Sequence, residues 1–450
     1  MASAAEQLAA NLNFSSFAKA TELRQRIWFT LGALIVYRLG TYIPLPGIDP
    51  TILSELFRQN AGGILGMFDM FAGGALGRMT IFALNIMPYI SASIIIQLMT
   101  AVSPYFAQLK KEGESGRKKI NQYTRYGTVL LAAVQGYGIA VGLEGMAGSQ
   151  GSAVIDAGVF FRATTVITLV GGTMFLMWLG EQITARGVGN GISLIIFAGI
   201  VANLPSALAG TMELGRTGAL STIFILVLAV MIVGVIAFII FMERAQRRIV
   251  IQYPKRQAGN KMYGGEASHM PLKLNTAGVI PPIFASSLLL MPATLAGFSV
   301  GADTGGGDWM AMMAAFLGRG QPLYLLVFSS LVIFFAFFYT AIVFNPEDTA
   351  DNLKKYGGFI PGIRPGKNTA VYLDYVLTRL TAVGALYLAA VCILPEILIS
   401  NYSVPFYFGG TSLLIVVTVT LDTVGQIQSH LIAHQYEGLI KKSRLKGRKR

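Results

Sequence analysis

Residues 79–109 read MTIFALNIMPYISASIIIQLMTAVSPYFAQL, an unbroken run without a formal charge between Arg78 and Lys110. About 20 apolar residues suffice to cross the hydrocarbon core of a bilayer, and soluble cores do not contain uncharged runs of this length. A second such run lies between Arg216 and Glu243. The remainder of the 450 residues follows suit: 54% are hydrophobic and only 13% charged, about half the charged share of a soluble domain. A string of soluble domains is excluded, and the chain reads as a polytopic membrane protein.

Ten spans are expected, over residues 27–43, 79–102, 126–143, 163–180, 191–208, 219–242, 275–296, 323–344, 380–398 and 404–423. Arg38 lies near the end of the first, where a long side chain can snorkel to the headgroups. Alternating the intervening segments between two sides places 29 of the 35 Lys and Arg on one side and 5 on the other, with Arg38 inside a span. Cationic loops stay inside, so both termini are expected to be cytoplasmic and much of the net charge of +13 is a topology signal. Residues 1–26 carry Leu8, Leu12 and Phe17 at helical spacing, as in an amphipathic helix on the inner surface, and lack the pattern of a cleaved signal peptide. Residues 431–450 form a basic cytoplasmic tail.

Ten spans divide into two groups of five, 27–208 and 209–430. An odd number per group inverts the second relative to the first. The expected fold is therefore an all-α polytopic membrane protein, ten transmembrane helices in two inverted five-helix halves around a central pore. Two inner loops, 243–274 and 345–379, are long enough to hold structure for a partner to grip. On the outer side, residues 61–77 (AGGILGMFDMFAGGALG) are rich in glycine and feed directly into the second span.

Chemistry is scarce. Cys392 is the sole cysteine, so no internal disulfide forms. No zinc motif is present, and His430 with His434 lacks a third ligand. The string GIRPGKN (362–368) misses the spacing and closing hydroxyl of a phosphate-binding loop and suits a turn. No metal site, cofactor or catalytic constellation is expected, which argues against an intramembrane enzyme. A secondary small-solute transporter, the alternative reading, needs ionisable groups at membrane depth, whereas here the neutral Asn85, Gln97, Asn190 and Asn275 and the helix-breaking Pro88, Pro281 and Pro282 occupy the spans. Ile86 with Ile90, and Ile192 with Ile196, are i,i+4 pairs on single helix faces. Ile283 follows the two prolines and Ile415 lies midway along the last span. Such pairs commonly face lipid, but converging on a pore they would gate it by dewetting.

Longer strings narrow the choice. IPLPG (43–47), IMPYISASIIIQ (86–97), KKEGESGR (110–117), WLGEQIT (178–184), GNGIS (189–193), FNP (344–346), PGIRPG (361–366) and PFYFGGTSLLI (405–415) resemble, in order and along essentially the whole chain, the SecY family of bacterial protein-conducting channel subunits. The resemblance implies an hourglass channel that passes unfolded secretory polypeptides and releases apolar segments sideways into lipid. It places a constriction on Ile86, Ile90, Ile192, Ile196, Ile283 and Ile415. It makes residues 62–77 a plug, with Gly63, Ile64, Leu65, Met67, Phe68, Met70, Phe71, Gly73 and Gly74 as its body. It puts Gln97 and Asn275 on a lateral gate as a polar latch, and docks a motor or ribosome on Arg247, Arg248, Lys255, Arg256 and Arg364. The implied partners are the small membrane subunits SecE and SecG, the SecA motor ATPase and the ribosome through its RNA. The nascent polypeptide with its signal sequence is the implied substrate, the implied site is the bacterial inner membrane, and there is room for YidC and SecDF.

Overall fold

A computed structural model describes residues 20–49, 52–53, 69, 72–145, 147–148, 151–218, 221–254, 256–258, 261–263, 267–299, 321–402 and 410–447. The chain is predominantly helical. Helix α1 spans Thr21–Gly40, α2 Met87–Val102, α3 Pro104–Lys111 and α4 Glu114–Gly145. A short pairing of β1 (Ala147–Gly148) with β2 (Gly151–Ser152) precedes α5 (Val159–Arg186), α6 (Gly191–Ala202), α7 (Leu204–Arg216) and α8 (Thr222–Arg244). Strands β3 (Gln246–Gln252), β4 (Arg256–Ala258), β5 (Lys261–Tyr263) and β6 (Ala267–Lys273) occupy the first long inner loop. Helices α9 (Ile280–Ser299), α10 (Pro322–Val343), α11 (Pro346–Lys355), α12 (Lys367–Tyr402) and α13 (Gly410–Gly447) complete the order.

A helix falls on each of the ten expected spans. Among the described residues, seven helices or merged helix pairs are long and apolar enough to cross a bilayer alone, and the bent pair α2–α3 makes an eighth if taken as one span. Helices α1 and α9 occupy the other two expected positions.

The stretch 79–109 is not one helix, which corrects the expected second span. Residues 81–86 turn, and α2 begins only at Met87, with Pro88 in its first turn. Proline has no N–H to lose there and its fixed φ suits a helix start, so Pro88 opens the helix instead of kinking one. Asn85 and Met79 adopt left-handed φ of 48° and 42°, a region Asn tolerates and Met rarely visits. At the other end, Ser103 separates α2 from α3, and the axis bends by 97°. Pro281 and Pro282 likewise sit in the first turn of α9.

The irregular segment 72–86 finds partners for its backbone across the outer face. Pro44 bridges Thr80, Leu45 N donates to Met79 O at 2.9 Å, and Ile81 N donates to Ile43 O at 3.0 Å. Arg38 has protein partners: its guanidinium donates to Gly73 O at 2.8 Å and to the Tyr42 hydroxyl at 3.0 Å. Helix α5 presses on the same segment. A β-carbon on Gly172 would lie 2.0 Å from Ile81 O, whereas one on the neighbouring Gly171 would meet nothing within 4 Å.

Helices α4 and α5 are joined by ion pairs at both ends, Arg125–Glu181 at 2.7 Å and Arg162–Glu144 at 2.6 Å. The helices before residue 217 meet those after 221 along two lines. On one, α2 and α4 pack against α9; on the other, α6 and α1 pack against α13. The main apolar core lies between these lines and draws on both groups.

These contacts predict opposite outcomes at adjacent glycines. Gly172→Ala should lose about 1–3 kcal/mol, the usual result of forcing a methyl into filled space, while Gly171→Ala should be neutral or slightly stabilising because alanine favours a helix over glycine. Thermal unfolding of the two variants in detergent measures the difference; equal midpoints would contradict the packing described.

Candidate functional site

The six isoleucines expected at a constriction all belong to the main apolar core or pack against it. Ile86, Ile90, Ile196 and Ile415 are buried in one apolar cluster, and Ile192 and Ile283 are partly buried against it. They arrive from four places: α2 with the turn before it, α6, α9 and α13. The positions follow from local structure. Asn190 caps α6, its Oδ1 accepting the amides of Ile192 and Ser193 at 3.1 and 3.4 Å, so this asparagine is a helix cap and not a polar group inside a span. Pro88 fixes the start of α2 just after Ile86.

Next to this cluster lies a cavity of about 1130 Å³, lined in part by Asn190, Ser193, Glu243, Lys273, Asn275, Val279, Ile280, Thr418, Val419, Asp422 and Gln426. Its lining mixes polar and charged side chains (Asn190, Glu243, Arg244, Lys273, Asp422) with apolar ones (Val279, Ile280, Val343, Leu421). Ser193 precedes Ile196 by three positions, Val279 precedes Ile283 by four, and Thr418 follows Ile415 by three. Residues three or four apart share a helix face. On α6 and α13, therefore, the face that lines the cavity carries an isoleucine about one turn, or about 5.4 Å, away, and on α9 Ile283 stands three positions after Ile280 of the lining.

The seam between α2 and α9 is held by weak contacts. Ser287 Oγ donates to Met87 Sδ at 3.8 Å within the buried interface; further along, Lys110 Nζ at the end of α3 donates to Ile342 O at the end of α10 at 3.1 Å. Gln97 and Asn275 do not bond to each other. Gln97 Nε2 donates to Ser93 Oγ on its own helix at 3.1 Å, and Asn275 Nδ2 donates to Glu243 Oε1 at 2.6 Å and Gly278 O at 3.1 Å. Asn275 also lies ahead of α9, outside the helix.

Of the expected plug, Gly63, Ile64, Leu65, Met67, Phe68, Met70 and Phe71 lie outside the described residues. Gly73 and Gly74 are described, with φ of 66° and 81°, which glycine alone adopts without strain. A β-carbon on Gly73 would lie 3.0 Å from Gly199 Cα on α6. Asp69 caps this turn: Gly77 N donates to its Oδ1 at 2.6 Å and Gly74 N to its carbonyl at 2.8 Å. Burial pushes the Asp69 carboxyl above its ordinary range, and the Gly77 amide and Arg78 oppose that shift. Arg78 also donates to Gly73 O at 3.1 Å.

The two long inner loops form one body. Strands β3 and β6 pair antiparallel from Gln246↔Lys273 to Gln252↔Ala267. Phe359 of the second loop joins the end of that hairpin through two bonds with Gln252, both 2.9 Å. Ile249 and Leu272 from the hairpin pack with Ile360, Leu373 and Val376 from the second loop. Arg247, Arg248 and Arg364 lie on this body, and all three are exposed. Lys255 lies outside the described residues, and Arg256 is placed by its backbone in β4. The sequence reading missed the joining of the loops, although the alternation in QRRIVIQ (246–252) is a strand signal. It also missed Glu243, Ser287 and the role of Arg38, which no local pattern announces. The string PGIRPG forms turns ahead of α12, with Thr369 Oγ1 donating to Arg364 O at 3.0 Å.

The arrangement defines a class: a multi-pass membrane protein with apolar helices long enough to span and a large cavity of mixed lining between them. The SecY family pattern matches residues 80–424. The chain is 58% identical over 434 residues to the protein translocase subunit SecY of Rickettsia conorii, covering 96% of this chain and 99% of the relative. It is also 58% identical over 426 residues to that of Escherichia coli strain K12, covering 95% and 96%. A solved protein-conducting channel superposes with a TM-score of 0.65 at 15% identity, over 91% of this chain and 92% of that one. The chain belongs to the SecY family.

The Asp69 cap generates a prediction with a sign. An acid whose pKa is raised on folding contributes stability that is present at pH below its unfolded value and lost as pH rises through the folded value. Stability in detergent should therefore fall as pH rises through the raised carboxyl value, while ionisation strengthens the Gly77 bond itself. Asp69→Asn should remove that pH dependence, and Asp69→Ala should lose the protection of the Gly77 amide from hydrogen exchange. Identical stability profiles against pH in the native chain and Asp69→Asn would refute the raised carboxyl, and native Gly77 protection in Asp69→Ala would refute the cap.

Proposed function

We propose that this chain is the pore-forming subunit of a protein translocase, passing unfolded polypeptides through the space closed by the six isoleucines and releasing apolar segments sideways between α2 and α9. The family match and the 58% identity to SecY over nearly the whole chain carry the reading; it is supported by a cavity lined by residues of α6, α13 and the start of α9, each of which bears an isoleucine of the main core three or four positions from the lining. Branched apolar side chains exclude water from a narrow opening and offer a sliding chain no hydrogen bonds. A passing polypeptide of any sequence meets no fixed polar partner there, while ions meet a desolvation barrier. The weak Ser287–Met87 contact suits a seam that must part, and glycines 73 and 74 suit a plug, residues 62–77, that closes the outer side.

Residues 27–208 and 209–430 are the two halves of this channel, with the amphipathic segment 1–26 and the tail 431–450 on the cytoplasmic side of a bacterial inner membrane. The joined inner loops are its docking platform. Arg247, Arg248 and Arg364, with Lys255 and Arg256, suit ribosomal RNA, whose phosphates attract guanidinium groups in a salt-dependent way, and the acidic surface of a motor such as SecA. SecE and SecG are the expected small membrane partners. The chain supplies no chemistry of its own in this reading, so the work comes from ribosome or motor.

Two outcomes test the parts separately. Ile90→Asn places an amide in the dry constriction and should raise the ion permeability of idle proteoliposomes several-fold, measured as dissipation of an imposed potassium gradient; a permeability equal to that of the native chain would count against the seal. Arg364→Glu should abolish most motor-driven export while leaving the chain's own accumulation in the membrane unchanged. Native export rates in that variant would remove Arg364 from the docking surface.

A further inference from the structure

Glu243 is used by nothing above. It stands in the last turn of α8, where a carboxylate opposes the helix dipole, and it is half-buried at the edge of the inner cavity. Its Oε1 accepts Asn275 Nδ2 at 2.6 Å. Asn275 is only 5% exposed, and its side chain closes the turn that launches α9: Oδ1 accepts Gly278 N at 3.1 Å and Nδ2 also donates to Gly278 O at 3.1 Å. The main chain joins the same two places, Leu274 N donating to Ala245 O at 2.9 Å. Phe238, a turn and a half before Glu243, packs edge-on against Tyr387 of α12 with ring centroids 5.8 Å apart, which ties the end of α8 to a third helix.

Helix α9 carries Ile283 of the constriction and Ser287 of the seam, and among the described residues the side-chain bond between its inner turn and α8 is that from the Asn275 amide to the Glu243 carboxylate, beside the main-chain bond of Leu274 to Ala245. We propose that Glu243 is a positioning residue for lateral opening: by holding Asn275 it pins the inner end of α9, so that the helix pivots there and the Met87–Ser287 contact parts. This rests on the channel reading given above and assigns Asn275 a pin at the base of the gate helix, in place of a latch to Gln97. A hydrogen bond to a buried charged group is among the stronger single contacts in a protein. The hydroxyl–thioether contact at the seam, long and made to a weak acceptor, is among the weaker ones. The pin should hold while the seam yields.

The test uses the full chain in its native membrane, with two readouts. One is disulfide formation between Met87→Cys and Ser287→Cys across the seam; the other is export of a precursor with a crippled signal sequence beside one with an intact signal. Asn275→Asp keeps the acceptor for Gly278 but sets a carboxylate against Glu243. It should lower export of the intact precursor about tenfold, equivalent to about 1.4 kcal/mol in the gate equilibrium, and should raise cross-linking at the seam. Adding Glu243→Gln supplies an amide donor facing the introduced carboxylate, and the double variant should return both readouts to native values. Native behaviour of Asn275→Asp, or no rescue in the double variant, overturns the pin. Should Asn275→Asp fail to accumulate, restoration of accumulation by Glu243→Gln supports the pin, and its absence overturns it. Failure of the unmodified chain to export even the intact precursor would overturn the channel reading itself, an outcome distinct from native export with an unresponsive pin.

Discussion

Inside a bilayer every backbone N–H and C=O must find a partner within the protein, because hydrocarbon offers none. Most of this chain meets the constraint with helices. The segment 72–86 does not, and the rest of the outer face is arranged to satisfy it. Residues 43–45 supply backbone partners, Arg38 and Arg78 both donate to the carbonyl of Gly73, and Asp69 caps the amide of Gly77. Helix α5 approaches at Gly172, where no side chain intervenes. This irregular stretch sets where α2 begins, and with it the depth of Ile86 and Ile90.

From there the mechanical logic is one of unequal bonds. Helices α4 and α5 are locked by two ion pairs, one near each end, so they move as a unit. The two inner loops are locked by paired strands and a small apolar core, so a force applied to either is delivered to both. Between these stiff bodies the seam of α2 with α9 is held by packing and a thioether contact. A channel that must admit a polypeptide axially and release an apolar segment sideways needs this distribution, stiff within each part and yielding at one line. The constriction works by lacking chemistry, since it must hold back ions without gripping a chain.

Much of the fold was legible because hydropathy, averaged over a window the length of a membrane span, reports the solvent directly. All ten expected spans contain a helix, and the charge asymmetry was readable without any structure. What was illegible arises from shorter-range backbone chemistry and from contacts remote in sequence. The run 79–109 is uniformly uncharged whether it is helix or turn, so hydropathy could not see that α2 starts at Met87; Pro88, read as a kink, was in fact the start signal. The partner of Arg38 was hidden because the carbonyl of Gly73 is a backbone group that a sequence does not display. The isoleucines were singled out by resemblance more than by spacing, since apolar i,i+4 pairs are common in membrane helices, and their place in the main apolar core needed the structure. Asn275 drew notice as a polar residue at the edge of a span, but its partner Glu243, on the far side of the β3–β6 hairpin, lay in what read as a loop.

The central claim is that a polypeptide passes between the isoleucines contributed by α2 and α9. It is tested most directly by placing a photo-cross-linking amino acid at Ile90 and, separately, at Ile283, and irradiating membranes in which a secretory precursor is stalled part-way through export. The account predicts adducts with the precursor from both positions and none from Ile167, which is exposed on the outside of α5. Adducts from neither Ile90 nor Ile283, with the precursor demonstrably stalled, would contradict it.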